Sequence, residues 1–248
     1  MFTRYTNSHP AAKVVIFAAS LGLMYWAFYL IYGNHTSAIL LVGSVAVHEL
    51  GHLAAYLYYG LRGGIIFLPP IGAVMIPSDQ EAAKRMQEWR KGIVAFAGPA
   101  VNIGLAAVGL VMIVFMPEWR NFGLMMTSLN GTLAAFNLLP FSLLDGGNVA
   151  KALFNSADEA GDRRIVWYLT RSMIGCFVAM ALFGTVSLMP VLFIWRLHTA
   201  ANDDDPLAWR EPTAMKKREL HQMTRLYAAA AVVTFFIAAV FRYWNDYR

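Results

Sequence analysis

Apolar residues dominate six long stretches of this chain, at about 14–32, 37–59, 92–116, 122–144, 172–195 and 226–243, each bounded by charged or turn residues. Roughly 20 consecutive apolar residues form a helix long enough to cross the hydrocarbon core of a bilayer, so each stretch predicts a membrane-spanning helix. Between the second and third lies GGIIFLPPIGAVMIP, residues 63–77, which is equally apolar but short and broken by Pro and Gly. It predicts a re-entrant or interfacial β-hairpin, tolerated at membrane depth only where protein satisfies its backbone. The polar run 79–91 follows, with Glu81 and Arg85 at the i, i+4 spacing of a solvated surface helix. The expected fold is an all-α polytopic membrane protein of about six helices with one hairpin, a single membrane-embedded domain over 1–248.

Composition sharpens the solvent. Of the 248 residues, 58% are hydrophobic and 14% charged, and the mean hydropathy is +0.49. Soluble domains average roughly 45–50% apolar and 25% charged, so disorder is excluded and a water-soluble globule disfavoured. A net charge of +5 would suit nucleic acid if it were gathered on one face, but the 20 Lys and Arg are scattered through short loops. No nucleic-acid partner is expected. With the amino terminus inside, 13 of them fall on inner loops and 7 on outer ones, six of the latter in the loop 196–225. The positive-inside rule therefore favours that orientation, with the fifth loop as its exception. Tyr32, Tyr58, Tyr59, Trp119, Trp167, Tyr168, Trp195, Tyr227, Tyr243 and Trp244 stand near span ends, as an aromatic belt would. The single cysteine, Cys176, lies in an apolar run and reads as core packing, which leaves no internal disulfide and no cysteine-based metal site.

Chemistry concentrates in the second span, which carries His48-Glu49-Leu50-Gly51-His52. Residues four apart share a helical face, so both imidazoles can address one metal while Glu49 stands beside them, within reach of a water held there. Ionisable groups inside a span carry an insertion cost of about 2.5–3.5 kcal/mol each and mark functional sites by default; the alternative is a buried polar network between helices. Two histidines leave a catalytic zinc site short of its usual three protein ligands. The stretch AAFNLLPFSLLDGG offers Asp145, 93 residues after His52. Taken alone, Asp-Gly reads equally as a turn closing a helix. Asn137 and Pro140 precede it, and Pro140 should kink or unwind the helix where a buried metal would want a ligand. In the third span, Asn102 follows Gly98 and Pro99; an amide there reads equally as glue between helices or as part of a site. Small residues Gly98, Ala100 and Gly104 would let this helix approach the second closely.

These motifs resemble the site-2 protease family of intramembrane zinc metalloproteases: HELGH at 48–52, AGPAVN at 97–102, and Asn137-Leu138-Leu139-Pro140 followed by Leu144-Asp145-Gly146, similar to the family's NxxPxxxxDG signature. The resemblance implies that His48, His52 and Asp145 bind one Zn2+ per chain and that Glu49 is the catalytic acid and base. It further implies that Asn102 and Asn137 line the substrate site or its oxyanion hole. The hairpin, through Ile65 and Val74, would guide substrate by strand pairing. The form expected is compact, without the PDZ or CBS modules of many relatives.

The expected reaction is hydrolysis of peptide bonds in or near transmembrane segments of membrane-anchored protein substrates, within regulated intramembrane proteolysis. Expected partners are that substrate and the lipid bilayer, with room for a regulatory membrane partner. The expected location is the cell membrane, as a multi-pass protein of a prokaryotic inner or plasma membrane, with the active site towards the cytosol. Two other readings compete. A prenyl-protein type HExxH membrane protease would make Asp145 irrelevant, and a transporter or scaffold with a structural metal would need a fourth ligand. The remaining histidines, His9, His35, His198 and His221, fall in expected loops or tails and read as solvated.

Overall fold

The computed structural model describes residues 10–68, 72–77, 82–83, 85–141, 144–157, 159–182 and 214–246. These are mostly helical. In chain order they form α1 (Pro10–Tyr32), α2 (His35–Tyr58), strands β1 (Gly63–Leu68) and β2 (Gly72–Pro77), α3 (Glu88–Phe115), a 3-10 turn (Pro117–Trp119), α4 (Arg120–Asn137), α5 (Asp145–Ser156), α6 (Ala160–Leu182) and α7 (Lys217–Asp246). Three helices among the described residues are long and apolar enough to cross a membrane: Val14–Tyr32, His35–Tyr58 and Glu88–Phe115. The remainder of the fifth expected span, the loop 196–213, Glu81, His9 and His198 lie outside the described residues.

Packing divides the chain into two units, residues 1–86 and 87–248. In the first, α1 packs on α2 and on β1, and α2 packs on both strands. Two local signals fix α2. Asn34, in extended conformation, accepts a hydrogen bond from the Ser37 amide at 3.0 Å and so satisfies one of the orphan donors at the helix start. At the other end Gly60 adopts φ +77°, which lets the Leu61 amide reach the Tyr56 carbonyl at 3.1 Å and the Gly60 amide the Leu57 carbonyl at 2.9 Å. A side chain at that φ would be strained, and the turn delivers the chain from α2 into β1. The two strands pair antiparallel, with Ile65 opposite Met75 and Ile66 opposite Val74.

The second unit is built on the contact between α3 and α4. A Cβ at Gly109 would overlap Thr127 Oγ1 and sit 2.7 Å from the Gly123 carbonyl oxygen, while one at Gly123 would sit 2.8 Å from the Gly109 oxygen. The two backbones therefore touch directly, and Thr127 donates to the Gly123 carbonyl at 2.8 Å and lies 3.1 Å from that of Ala106. At Gly104 a Cβ meets nothing within 4 Å among the described residues. The pair makes a clean test. Gly109→Ala should lower unfolding stability in detergent micelles by about 1–3 kcal/mol through overpacking, whereas Gly104→Ala should be neutral or stabilising by up to about 1 kcal/mol through helix propensity.

The fourth expected span does not run unbroken to 144: α4 stops at Asn137, and a separate helix starts at Asp145. Pro140 has no amide hydrogen to continue the ladder, and its ring disfavours helical geometry before it. Asp145 therefore opens α5 rather than closing α4. Around this break lies the main core, where Leu138, Val149, Leu153, Val166, Met173, Met223 and Tyr227 pack together. Tyr227 is accordingly no belt residue, being fully buried, whereas Tyr32, Tyr58, Trp119, Trp167 and Tyr168 are exposed. Cys176 is exposed too, against the expectation of core packing.

Two histidines expected in loops sit in helices with partners. His35 opens α2, where its Nδ1 is 2.6 Å from the Tyr25 hydroxyl and its ring stacks on Tyr29. His221 lies in α7 with Nε2 3.1 Å from Asp162 Oδ1.

Candidate metal centre

Helix α2 is apolar in composition yet keeps one polar stripe. Ser44, His48, His52 and Tyr56 recur every fourth position and are all buried, as is Glu49 beside them. Such spacing puts the four side chains on one face, slightly inclined to the helix axis. His48 and Glu49 are only 5% and 6% exposed and His52 6%, so the metal-binding pattern faces protein and not lipid.

The histidine pair has a specific shape. The Nε2 atoms of His48 and His52 stand 3.1 Å apart, and the rings meet edge to face, with centroids 4.8 Å apart at 81°. Two nitrogens each about 2.0–2.1 Å from a tetrahedral zinc ion are separated by about 3.3–3.4 Å, so this convergence fits a pair of imidazoles sharing one metal. Neutral imidazoles turned this way would otherwise have to share a single proton between Nε2 atoms.

Asp145 is the first residue of α5, preceded by Leu144, which caps with no side-chain bond. A carboxylate at a helix N-terminus is favoured by the exposed amides and the helix dipole. It is half-buried. His48 and His52 on α2 offer two imidazole nitrogens, and Asp145 at the start of α5 offers a carboxylate. That donor set, two imidazole nitrogens and one carboxylate, is of the kind that binds catalytic zinc and leaves a fourth position for water.

The two asparagines differ. Asn102 is fully buried in α3, and its Nδ2 donates to Asn130 Oδ1 at 2.9 Å. Asn130, in α4, passes the bond on through its own Nδ2 to the Met126 carbonyl at 2.9 Å. The glue reading of Asn102 is thus realised between α3 and α4. Asn137 donates to the Leu133 carbonyl of its own helix at 3.0 Å, at the last turn before the Pro140 break. In the hairpin, Ile65 is 4% exposed within the first unit, and Val74 occupies the β2 position opposite Ile66. Ser44, Asn130 and Tyr227 are polar residues that the sequence pattern does not single out for the site. For Ser44 the i−4 spacing from His48 is the signal that could have found it.

The family model described as Peptidase family M50 matches residues 36–119 and 116–182. The chain belongs to this family, that of the site-2 proteases. All the residues of the histidine pattern, Asn102, Asn130, Asn137 and Asp145 lie inside the M50 match, whereas α7 lies beyond it. The chain is 31% identical over 170 residues to a candidate zinc metalloprotease of Synechocystis, covering 65% of this chain and 43% of that one. It is 31% identical over 160 residues to a zinc metalloprotease of Methanocaldococcus jannaschii, covering 63% and 44%. Stage IV sporulation protein FB of Bacillus subtilis is 30% identical over 149 residues, covering 59% and 46%. These alignments thus span less than half the length of each relative.

Proposed function

We infer that this chain is an intramembrane zinc metalloendopeptidase, one membrane-embedded protease domain that hydrolyses peptide bonds in or near transmembrane segments of membrane-anchored proteins. The observation that carries the reading is the buried pair of Nε2 atoms, 3.1 Å apart, on an apolar helix with Glu49 beside them. His48, His52 and Asp145 would hold the zinc. A closed structural site takes four protein ligands, and the proposed set has three. Membership of M50 and the zinc metalloprotease names of two relatives support the same chemistry.

When bound, zinc supplies Lewis acidity, lowering the pKa of water and polarising a carbonyl. The chain's own groups do the rest. Glu49 accepts a proton from the attacking water at its carboxylate and returns it to the departing amine. Asn102 or Asn137 would orient the scissile carbonyl and donate to the oxygen that gains charge. A helical substrate hides its carbonyls in its own hydrogen bonds, so an extended segment must form first. The hairpin, with Ile65 and Val74 on its two strands, would hold that segment by strand pairing. Orientation follows the positive-inside assignment, six spans with the histidine pattern in the inner half of the second, so cleavage is expected near the cytosolic leaflet of a multi-pass protein in the cell membrane. Regulated intramembrane proteolysis, with a regulatory membrane partner, is the setting this suits.

Cleavage of single-pass proteins in reconstituted vesicles, with and without a zinc chelator, tests the function: turnover should stop with chelator and return with added zinc, and chelator-resistant cleavage would overturn it. In the same assay, Ile65→Pro or Val74→Pro, which removes an amide donor from a strand, should slow cleavage of a bilayer-embedded substrate by about tenfold or more. Unchanged rates would remove the hairpin from the mechanism.

A further inference from the structure

Tyr227 is the largest fully buried side chain among the described residues and comes from α7, outside the M50 match. Its hydroxyl donates to the Leu138 carbonyl at 2.7 Å and lies 3.1 Å from the Gly146 carbonyl. These two carbonyls flank the break between α4 and α5. Leu138 caps α4, and its carbonyl is one of those a helix leaves without an intrahelical donor at its end. Pro140, two residues on, has no amide hydrogen to offer it. Gly146 is the second residue of α5, immediately after Asp145. A Cβ there would overlap the Leu138 carbonyl oxygen and sit 2.6 Å from that of Leu139, so the end of α4 and the start of α5 lie backbone against backbone.

We propose that Tyr227 is a positioning residue for the metal centre: its hydroxyl ties the last turn of α4 to the first turn of α5 and thereby fixes the direction in which Asp145 presents its carboxylate. The proposal rests on the reading of Asp145 as a zinc ligand. One hydroxyl can do this because the interior around it is apolar. Leu138, Val149, Leu153 and Met223 exclude water, so the Leu138 carbonyl has no competing donor from solvent and the bond holds one geometry. A ligand whose backbone is free to rotate by a few degrees binds metal less well, and groups that only orient a ligand typically contribute about 10–100-fold in metal affinity.

The test uses the full chain purified in detergent, with zinc affinity read by competition against a chromophoric chelator. Tyr227→Phe, which removes one oxygen and keeps the ring, should weaken zinc binding by about 10–100-fold. In an Asp145→Ala background the same substitution should cause no further loss, because the carboxylate it positions is gone. Wild-type affinity in Tyr227→Phe would overturn the proposal, and so would an equal loss in both backgrounds, which marks a general effect on the fold. If Asp145→Ala itself leaves zinc affinity intact, the ligand reading fails; if it weakens binding while Tyr227→Phe does not, only the positioning role fails. Gly146→Ala, which displaces the same carbonyl from the other side, should reproduce the loss and serves where Tyr227→Phe folds too poorly to titrate.

Discussion

Glu49→Gln should abolish peptide hydrolysis while leaving zinc in place. The amide is nearly isosteric with the carboxylate, so packing on the buried face of α2 and the 3.1 Å approach of His48 to His52 should be preserved. What is lost is the ability to take and return a proton. General acid and base catalysis typically contributes about 10²–10⁴-fold, and because one residue serves both steps here, the fall in kcat should reach the upper end of that range or beyond. Reconstituted vesicles with a single-pass substrate give the rate, and metal analysis of the same preparation gives the zinc content. Retained turnover would remove Glu49 from the chemistry. Loss of zinc with turnover would make it a ligand instead.

The second large effect is on the metal itself. His48→Ala or Asp145→Ala should weaken zinc binding by more than about 100-fold, since groups that merely orient ligands are already worth about 10–100-fold. Cleavage should fall to the level seen with chelator. His35→Ala is the matched control. That histidine is held by the Tyr25 hydroxyl and the Tyr29 ring at the start of α2, and its removal should leave zinc content and turnover unchanged. Full zinc occupancy in Asp145→Ala would point to a different third ligand.

Much of this is legible in the sequence because a few residue types have few uses in oil. A histidine pair four positions apart with a glutamate between them is costly in an apolar stretch, so HELGH marks a candidate site by its composition alone, and the Asn137 to Asp145 motif offers a third donor to propose for it. The apolar stretches predict the helical class, and three of them, with ends shifted by up to four residues, are helices long enough to cross a membrane. Other features are out of reach for physical reasons. Hydropathy does not distinguish a residue facing lipid from one facing protein, which is why Tyr227 reads as an interfacial aromatic. Gly109 looks like any other glycine in sequence; only the presence of Gly123 and Thr127 across the gap makes it a contact. Pro140 is recognisable as a breaker, but the apolar residues after it hide the fact that it separates two helices. Nor does local spacing reveal that the Tyr227 hydroxyl ends on carbonyls 89 and 81 positions earlier in the chain.

The chain of amides from Asn102 through Asn130 to the Met126 carbonyl also bears on how the molecule assembles. Apolar helices in lipid can slide along one another at little expense, since one greasy surface serves nearly as well as the next. A slip of α3 against α4 by a single residue would part the Asn102 donor from the Asn130 acceptor in an apolar interior, a penalty of about 1–3 kcal/mol. The pair therefore works as a checkpoint on alignment: helices already inserted can meet and part many times, and only the alignment that closes this chain of bonds is retained.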